Sequence, residues 1–225
     1  MTATVLRTDE IPAGAPGVRL SVGVSGSGKT YGVTRDVLRA VRAGTPVVVV
    51  DRMREWGTVP PAFAKVTRGA TSVKDAAKHV ESGARLVVVR TSDDVAASVD
   101  ACAWARDTPR VVGVAIPEAH RCAPNAGALP RAIEDCATAW RHYKVALWLD
   151  TQRLPLLNRT LTEQARELRL YAITGELDFA RVRELGGRQL EAAVRECAAR
   201  YAKGEPGWHV RLGLVRMPPF DLRRE

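Results

Sequence analysis

The sequence predicts an α/β protein built on a mainly parallel central sheet with helices on both faces. Three observations carry that prediction. Strand-sized apolar runs alternate with longer helix-like segments along most of the chain. Some runs are unbroken, as in Val47-Val48-Val49-Val50, a pattern of strands covered on both faces and hence of parallel pairing. The first strand-to-helix junction is the glycine-rich stretch Gly23-Val24-Ser25-Gly26-Ser27-Gly28-Lys29-Thr30.

The elements follow in order. Residues 1–16 carry prolines without periodicity and predict a flexible arm or a strap across the surface, and residues 17–225 then read as a single domain. Residues 18–23 predict a strand, 28–42 a helix and 46–51 a strand. A loop over 52–61 and a short strand over 64–67 precede a helix over 72–82 that Ser72 caps. Residues 85–89 and 111–116 predict strands on either side of a helix over 92–104. A helix over 130–143 has Pro130 in its first turn, and the strand over 145–151 runs into Gln152-Arg153. A short helix over 162–167, a strand over 168–174, helices over 177–185 and 188–202 parted by Gly186-Gly187, and a strand over 208–215 complete the pattern.

Composition narrows the class. At 225 residues the chain can bury a core without disulfides or structural metal. The formal charge of +9 favours an anionic partner such as nucleic acid, nucleotide or an anionic surface. Four widely spaced cysteines, with no C-x-x-C pair and no histidine at zinc-finger spacing, read as reduced thiols of a cytoplasmic protein. No apolar run approaches the ~20 residues of a membrane span, and the first residues lack a cleavable apolar leader.

Gly23 to Thr30 matches G-x-x-x-x-G-K-[ST]. Gly23, Ser25, Gly26, Ser27 and Gly28 let successive backbone N–H groups curl around a phosphate, and the following helix adds the positive end of its dipole. Lys29 is expected to reach the β- and γ-phosphates of ATP, and the Thr30 hydroxyl to hold Mg²⁺.

A second nucleotide element is expected where an apolar strand ends in a pair of carboxylates. The strand over 111–116 ends in Ile116-Pro117-Glu118-Ala119-His120, so proline stands where an aspartate is expected. Glu118 remains to polarise water, and Asp51 or Asp150, at other strand ends, could stand in on the metal side. Gln152 follows the next strand and could touch the γ-phosphate or the attacking water. The histidines, His79, His120, His142 and His209, never pair at metal spacing and read as surface or packing residues.

Glu118-Ala119-His120-Arg121 followed by Thr151-Gln152-Arg153-Leu154-Pro155 resembles the signatures of the HerA–FtsK superfamily of DNA-pumping ATPases. Asp51-Arg52-Met53-Arg54-Glu55-Trp56 is similar to the segment that follows the second strand in that group. The resemblance spans residues 18 to 185, and among its members the chain looks most like the genome-packaging ATPases of tailless, membrane-containing DNA viruses and phages. It implies a RecA-like (ASCE) P-loop NTPase fold with one strand inserted between the two Walker strands. It further implies a homo-oligomeric ring, hexamer or pentamer, that hydrolyses ATP between subunits, threads double-stranded DNA and meets a capsid vertex or portal protein in the host cytoplasm or on the virion.

The same resemblance implies an arginine acting on the neighbouring subunit's γ-phosphate from the end of the helix before the Gln152 strand. Arg141 matches that position, with Arg153 and Arg159 as competitors. Among the basic residues after position 150, including Arg166, Arg169, Arg181, Arg183, Arg188, Arg195 and Arg200, a subset could line a pore and contact DNA phosphates. Two other readings share the phosphate loop: a zonula-occludens-toxin-like phage assembly or secretion NTPase, and a small-molecule phosphotransferase.

Overall fold

The structure, a computed structural model, describes residues 12–52, 54, 56, 61–213 and 221–224. Most of the N-terminal arm therefore lies outside the described residues. Residues 12–16 are fastened to the sheet: Arg19 donates to the carbonyls of Ala15 and Pro12, and Arg166 to that of Pro16.

Among the described residues nine strands form one sheet. In chain order they are β1 (Gly17–Val22), β2 (Val47–Val50), β3 (Thr67–Ala70), β4 (Leu86–Val89), β5 (Val112–Ile116), β6 (Val145–Thr151), β7 (Ala165–Leu170), β8 (Trp208–Gly213) and β9 (Asp221–Arg224). Their spatial order is β3-β4-β2-β5-β6-β1-β7-β8-β9. Every pairing from β3 across to β7 is parallel, and β8 and β9 add antiparallel strands at the far edge. This is the RecA-like arrangement, with β6 inserted between β1, which leads into the phosphate loop, and β5, which leads to Glu118.

The helices are α1 (Lys29–Arg42), α2 (Val73–Glu81), α3 (Asp94–Asp107), α4 (Arg131–Thr138), α5 (Trp140–Tyr143), α6 (Arg159–Glu163) and α7 (Glu176–Ala202). They divide unevenly between the faces. Val33, Val37, Ala40 and Val41 of α1 pack on Val47, Val49, Ala115, Ala146 and Trp148. The opposite face, with Val48, Val114, Leu147, Leu20 and Leu168, is covered by α2, α3, α4, α6 and α7. Ser72 caps α2 as expected, its hydroxyl accepting from the Asp75 N–H at 3.2 Å.

Several boundaries depart from the sequence reading. The expected strand over 64–67 is a 3-10 turn, Pro61–Val66, and the strand follows it at Thr67–Ala70. The helix expected over 130–143 breaks at Ala139 into α4 and α5. The strand expected over 168–174 is β7, Ala165–Leu170, and the preceding helix moves back to α6, which Asn158 caps. The shift has a cause in charge. Glu167 and Arg169 occupy the α1-side face of β7, where Glu167 pairs with Arg169 and Arg211, and Arg169 also with Asp36 of α1. A buried ion network there broke the apolar pattern by which strands are recognised.

Among the described residues no helix is long and apolar enough to cross a membrane.

Candidate functional site

The parallel register brings three loops together at the carboxyl edge of the sheet. Val22 of β1 pairs with Thr151 of β6, and Ile116 of β5 with Leu149. The chain therefore leaves β1 into the phosphate loop, β6 into Gln152 and β5 into Glu118 side by side.

The phosphate loop is held from both ends. The Gly23 N–H donates to Thr151 O and the Val24 N–H to Ala172 O, tying the loop to the strands on either side. Gly28 has φ 101°, a left-handed conformation that favours glycine, and a Cβ there would sit tightly, 3.1 Å from Gly207 Cα. Lys29 is buried, and Ser27 Oγ, also buried, has no hydrogen-bond partner. A buried lysine beside left-handed glycines at the amino end of a 14-residue helix fits a polyphosphate.

Glu118 converges on the same space. Lys29 Nζ lies 3.6 Å from Glu118 Oε1, and Gln152 Nε2 donates to that oxygen at 2.8 Å. Glu118 itself is in the left-handed region (φ 50°, ψ 47°), and its N–H donates to Asp150 Oδ1 at 3.0 Å. The candidates for the missing Walker B aspartate thus have structural duties: Asp150 orients Glu118, and Asp51 Oδ2 accepts the Trp56 N–H. Met53 and Glu55 lie outside the described residues.

His120, read from the sequence as a surface or packing residue, belongs to this cluster. Its Nδ1 is 3.0 Å from Thr151 Oγ1 and 3.4 Å from Glu118 Oε2. Burial pushes its pKa below the ordinary value despite the Glu118 carboxylate, which favours the neutral ring at neutral pH.

Two more contacts had no signal in the sequence. Tyr201, near the end of α7, donates its hydroxyl to Ser25 O at 2.9 Å, and the Gly207 N–H donates to Ser27 O at 3.0 Å. The turn between α7 and β8 therefore braces the outside of the phosphate loop. Only its glycines, Gly204 and Gly207, hinted at a turn there.

Arg141 is not brought to this cluster within one chain. It is exposed on α5, before β6, whereas Gln152 follows β6; seven residues at ~3.3 Å each put roughly 23 Å between them. Its guanidinium stacks on Trp140, which also carries Arg166 on its ring. Arg153 is engaged by Asp178 at 2.7 Å. Arg159 is exposed beside α7 residues Leu177 and Glu184.

No protein-family model and no curated protein sequence matches the chain. Solved structures do. The genome packaging NTPase B204 of Sulfolobus turreted icosahedral virus 2, in complex with sulfate, superposes with a TM-score of 0.70 at 17% identity, covering 92% of this chain and 96% of that one. The same NTPase in complex with AMPPCP gives 0.69 at 18% identity, over 94% and 98% of the two chains. The cytoplasmic domain of the Thermomonospora curvata type VII secretion ATPase EccC gives 0.56 at 12% identity, over 92% of this chain and 25% of that one. The fold is that of an α/β, RecA-like P-loop NTPase, and it resembles a viral genome-packaging NTPase over almost its full length.

Proposed function

We propose that this chain is the ATP-hydrolysing subunit of a ring that moves double-stranded DNA, as a viral or phage genome-packaging motor does. The observation that carries the reading is the meeting of Lys29, Glu118 and Gln152 at adjoining strand ends beside an intact phosphate loop.

The backbone N–H groups from Gly23 to Gly28 cradle the β-phosphate, and Lys29 reaches the γ-phosphate. Glu118 takes a proton from the attacking water, and the Gln152 amide, already bonded to Glu118, fixes where that water sits. Mg²⁺ held through Thr30 would neutralise charge on the β- and γ-phosphates. Asp150 holds the backbone from which Glu118 projects and so orients the base.

Arg141 stands too far from its own site to act there and is assigned to a neighbour's γ-phosphate. The working unit in this reading is a closed homo-oligomer, hexamer or pentamer, in the host cytoplasm, with a capsid vertex or portal protein as its docking partner.

The same fold also serves a secretion ATPase, so the deciding measurement is stimulation by DNA. ATP turnover is expected to rise on adding long duplex DNA, and the rise to vanish at high salt. Glu118→Gln should lower kcat by roughly 10²- to 10⁴-fold while nucleotide binding persists. Turnover indifferent to duplex DNA would remove the translocase reading, and an unchanged rate in the Glu118 variant would remove the catalytic assignment.

A further inference from the structure

The sequence placed candidate DNA contacts among the arginines after position 150, but the fold commits many of these to ion pairs within the chain. Arg169 pairs with Asp36 and Glu167, Arg181 with Glu184, and Arg183 with Glu191. Arg195 pairs with Glu176 and Glu191, and Arg200 with Glu196 and Glu205. Such a pair is locally neutral, and a phosphate would have to displace a carboxylate already in place.

A different group makes no ion pair among the described residues. Arg39 and Arg42 on the last turns of α1, Lys65 on the 3-10 turn, Arg68 on the edge strand β3, and Arg85 before β4 are all exposed. Among the described residues none of the five makes an ion pair, and Glu81, the acidic residue nearest to Arg85 in the sequence, makes none with them.

They form one surface. Arg42 lies over the ring of Phe63 at 5.4 Å, two residues from Lys65, and Arg68 Nη1 donates to the carbonyls of Lys65 and Thr67. The Arg85 N–H donates to Val66 O, and its carbonyl accepts from Val47, so Arg85 stands where β2, β3 and β4 begin. Arg39 is one turn before Arg42 on α1.

We infer that this corner of the sheet, at its amino edge and away from the phosphate loop, is a contact surface for the phosphodiester backbone of duplex DNA. The inference rests on the translocase reading and names the residues that would hold its track. Charge chooses the occupant. Long, flexible cations without carboxylates match a uniformly charged polyanion. Cations spread over α1, the 3-10 turn, β3 and the start of β4 suit contacts to successive phosphates, which position a duplex without reading its bases, so binding is expected to be independent of sequence. A surface arginine on the edge strand also discourages strand addition, and the two arginines of α1 also complement the helix dipole. Neither role accounts for Lys65 and Arg85 on separate elements beside them.

Each cation that neutralises a phosphate contributes about −0.9 to the slope of log K against log salt concentration. The test is fluorescence anisotropy of a random-sequence duplex over a salt series, on wild type and on Lys65→Gln/Arg68→Gln/Arg85→Gln. The slope of the triple variant is expected to be shallower by about 2.7, with affinity at low salt down at least about tenfold. The charge-preserving Lys65→Arg/Arg68→Lys/Arg85→Lys protein should keep the wild-type slope. DNA-free ATP turnover should be unchanged in both, because none of the three residues touches the site, and this also reports folding.

Wild-type binding with an unaltered slope and affinity in the neutral variant would overturn this surface and leave the translocase reading intact. No duplex binding by wild type would bring down the reading and the surface together. Binding to phosphatidylserine vesicles that exceeds duplex binding and is lost in the neutral variant would assign the face to a membrane instead, and overturn the inference.

Discussion

Glu118 holds a left-handed backbone (φ 50°) that costs an ordinary residue roughly 1–2 kcal/mol. Asp150 at its N–H and Gln152 and Lys29 at its carboxylate fix that conformation. Strain at a carboxylate that meets Lys29 of the phosphate loop accords with a base aimed at a set point. His209 illustrates a different residue-scale effect. It is buried on β8, stacks on Tyr171 with ring centroids 4.8 Å apart, and burial pushes its pKa down to about 4. The unfolded chain binds this proton below its ordinary 6.5, while the folded chain does not until about 4. Between those values stability must therefore rise with pH, and this group alone removes roughly 2 kcal/mol on acidification to about pH 5. Urea unfolding of His209→Gln and wild type across that range should show the variant losing less stability by about that amount. Parallel pH profiles would contradict the assignment.

At the scale of elements, the break in α7 is the plainest case of local chemistry deciding structure. Gly187 has φ 72° and ψ −170°, a region open essentially to glycine, and Gly186 is also non-helical. The break lets one segment place Phe179 and Val182 in the core while the other carries Leu190, Val194 and Cys197 there and delivers Tyr201 to the phosphate loop. Gly187→Ala should cost about 1–3 kcal/mol. Gly69→Ala, on β3 with no atom within 4 Å of its added Cβ, should be near neutral. Thermal melts of the two variants check the contrast, and equal melting temperatures would refute it.

The whole molecule sets the position of Arg141. The length of β6 separates it from Gln152, so any role in hydrolysis requires a second copy of the chain. Mixing Arg141→Ala subunits into wild-type protein is expected to depress ATP turnover more than in proportion to the fraction added. A linear decline would show that Arg141 is not shared across subunits.

Much of the fold and part of the site were legible because they are written in short-range pattern. The glycine spacing from Gly23 to Gly28, the valines of β2, the Ser72 cap and the Gly186-Gly187 break each act through neighbours a few residues away. Glu118 and Gln152 were legible as polar residues closing apolar strands. Their hydrogen bond joins positions 34 residues apart, and it required the order of strands in the sheet. Tyr201 and Ser25, 176 residues apart, left no trace in either local stretch. The ends of β7 were not legible because its charged residues find partners on β8 and α1, which no window along the chain can see.

The sequence by itself determined that this chain folds as an α/β sheet around a phosphate-binding loop, since periodicity and glycine spacing act locally. The tertiary structure decided which charges are spent and which are free. Coulomb attraction depends on distance in space, so an arginine such as Arg183 beside Glu191 becomes part of the scaffold. Arg68 and Arg85, of the same residue type, are exposed and make no ion pair among the described residues.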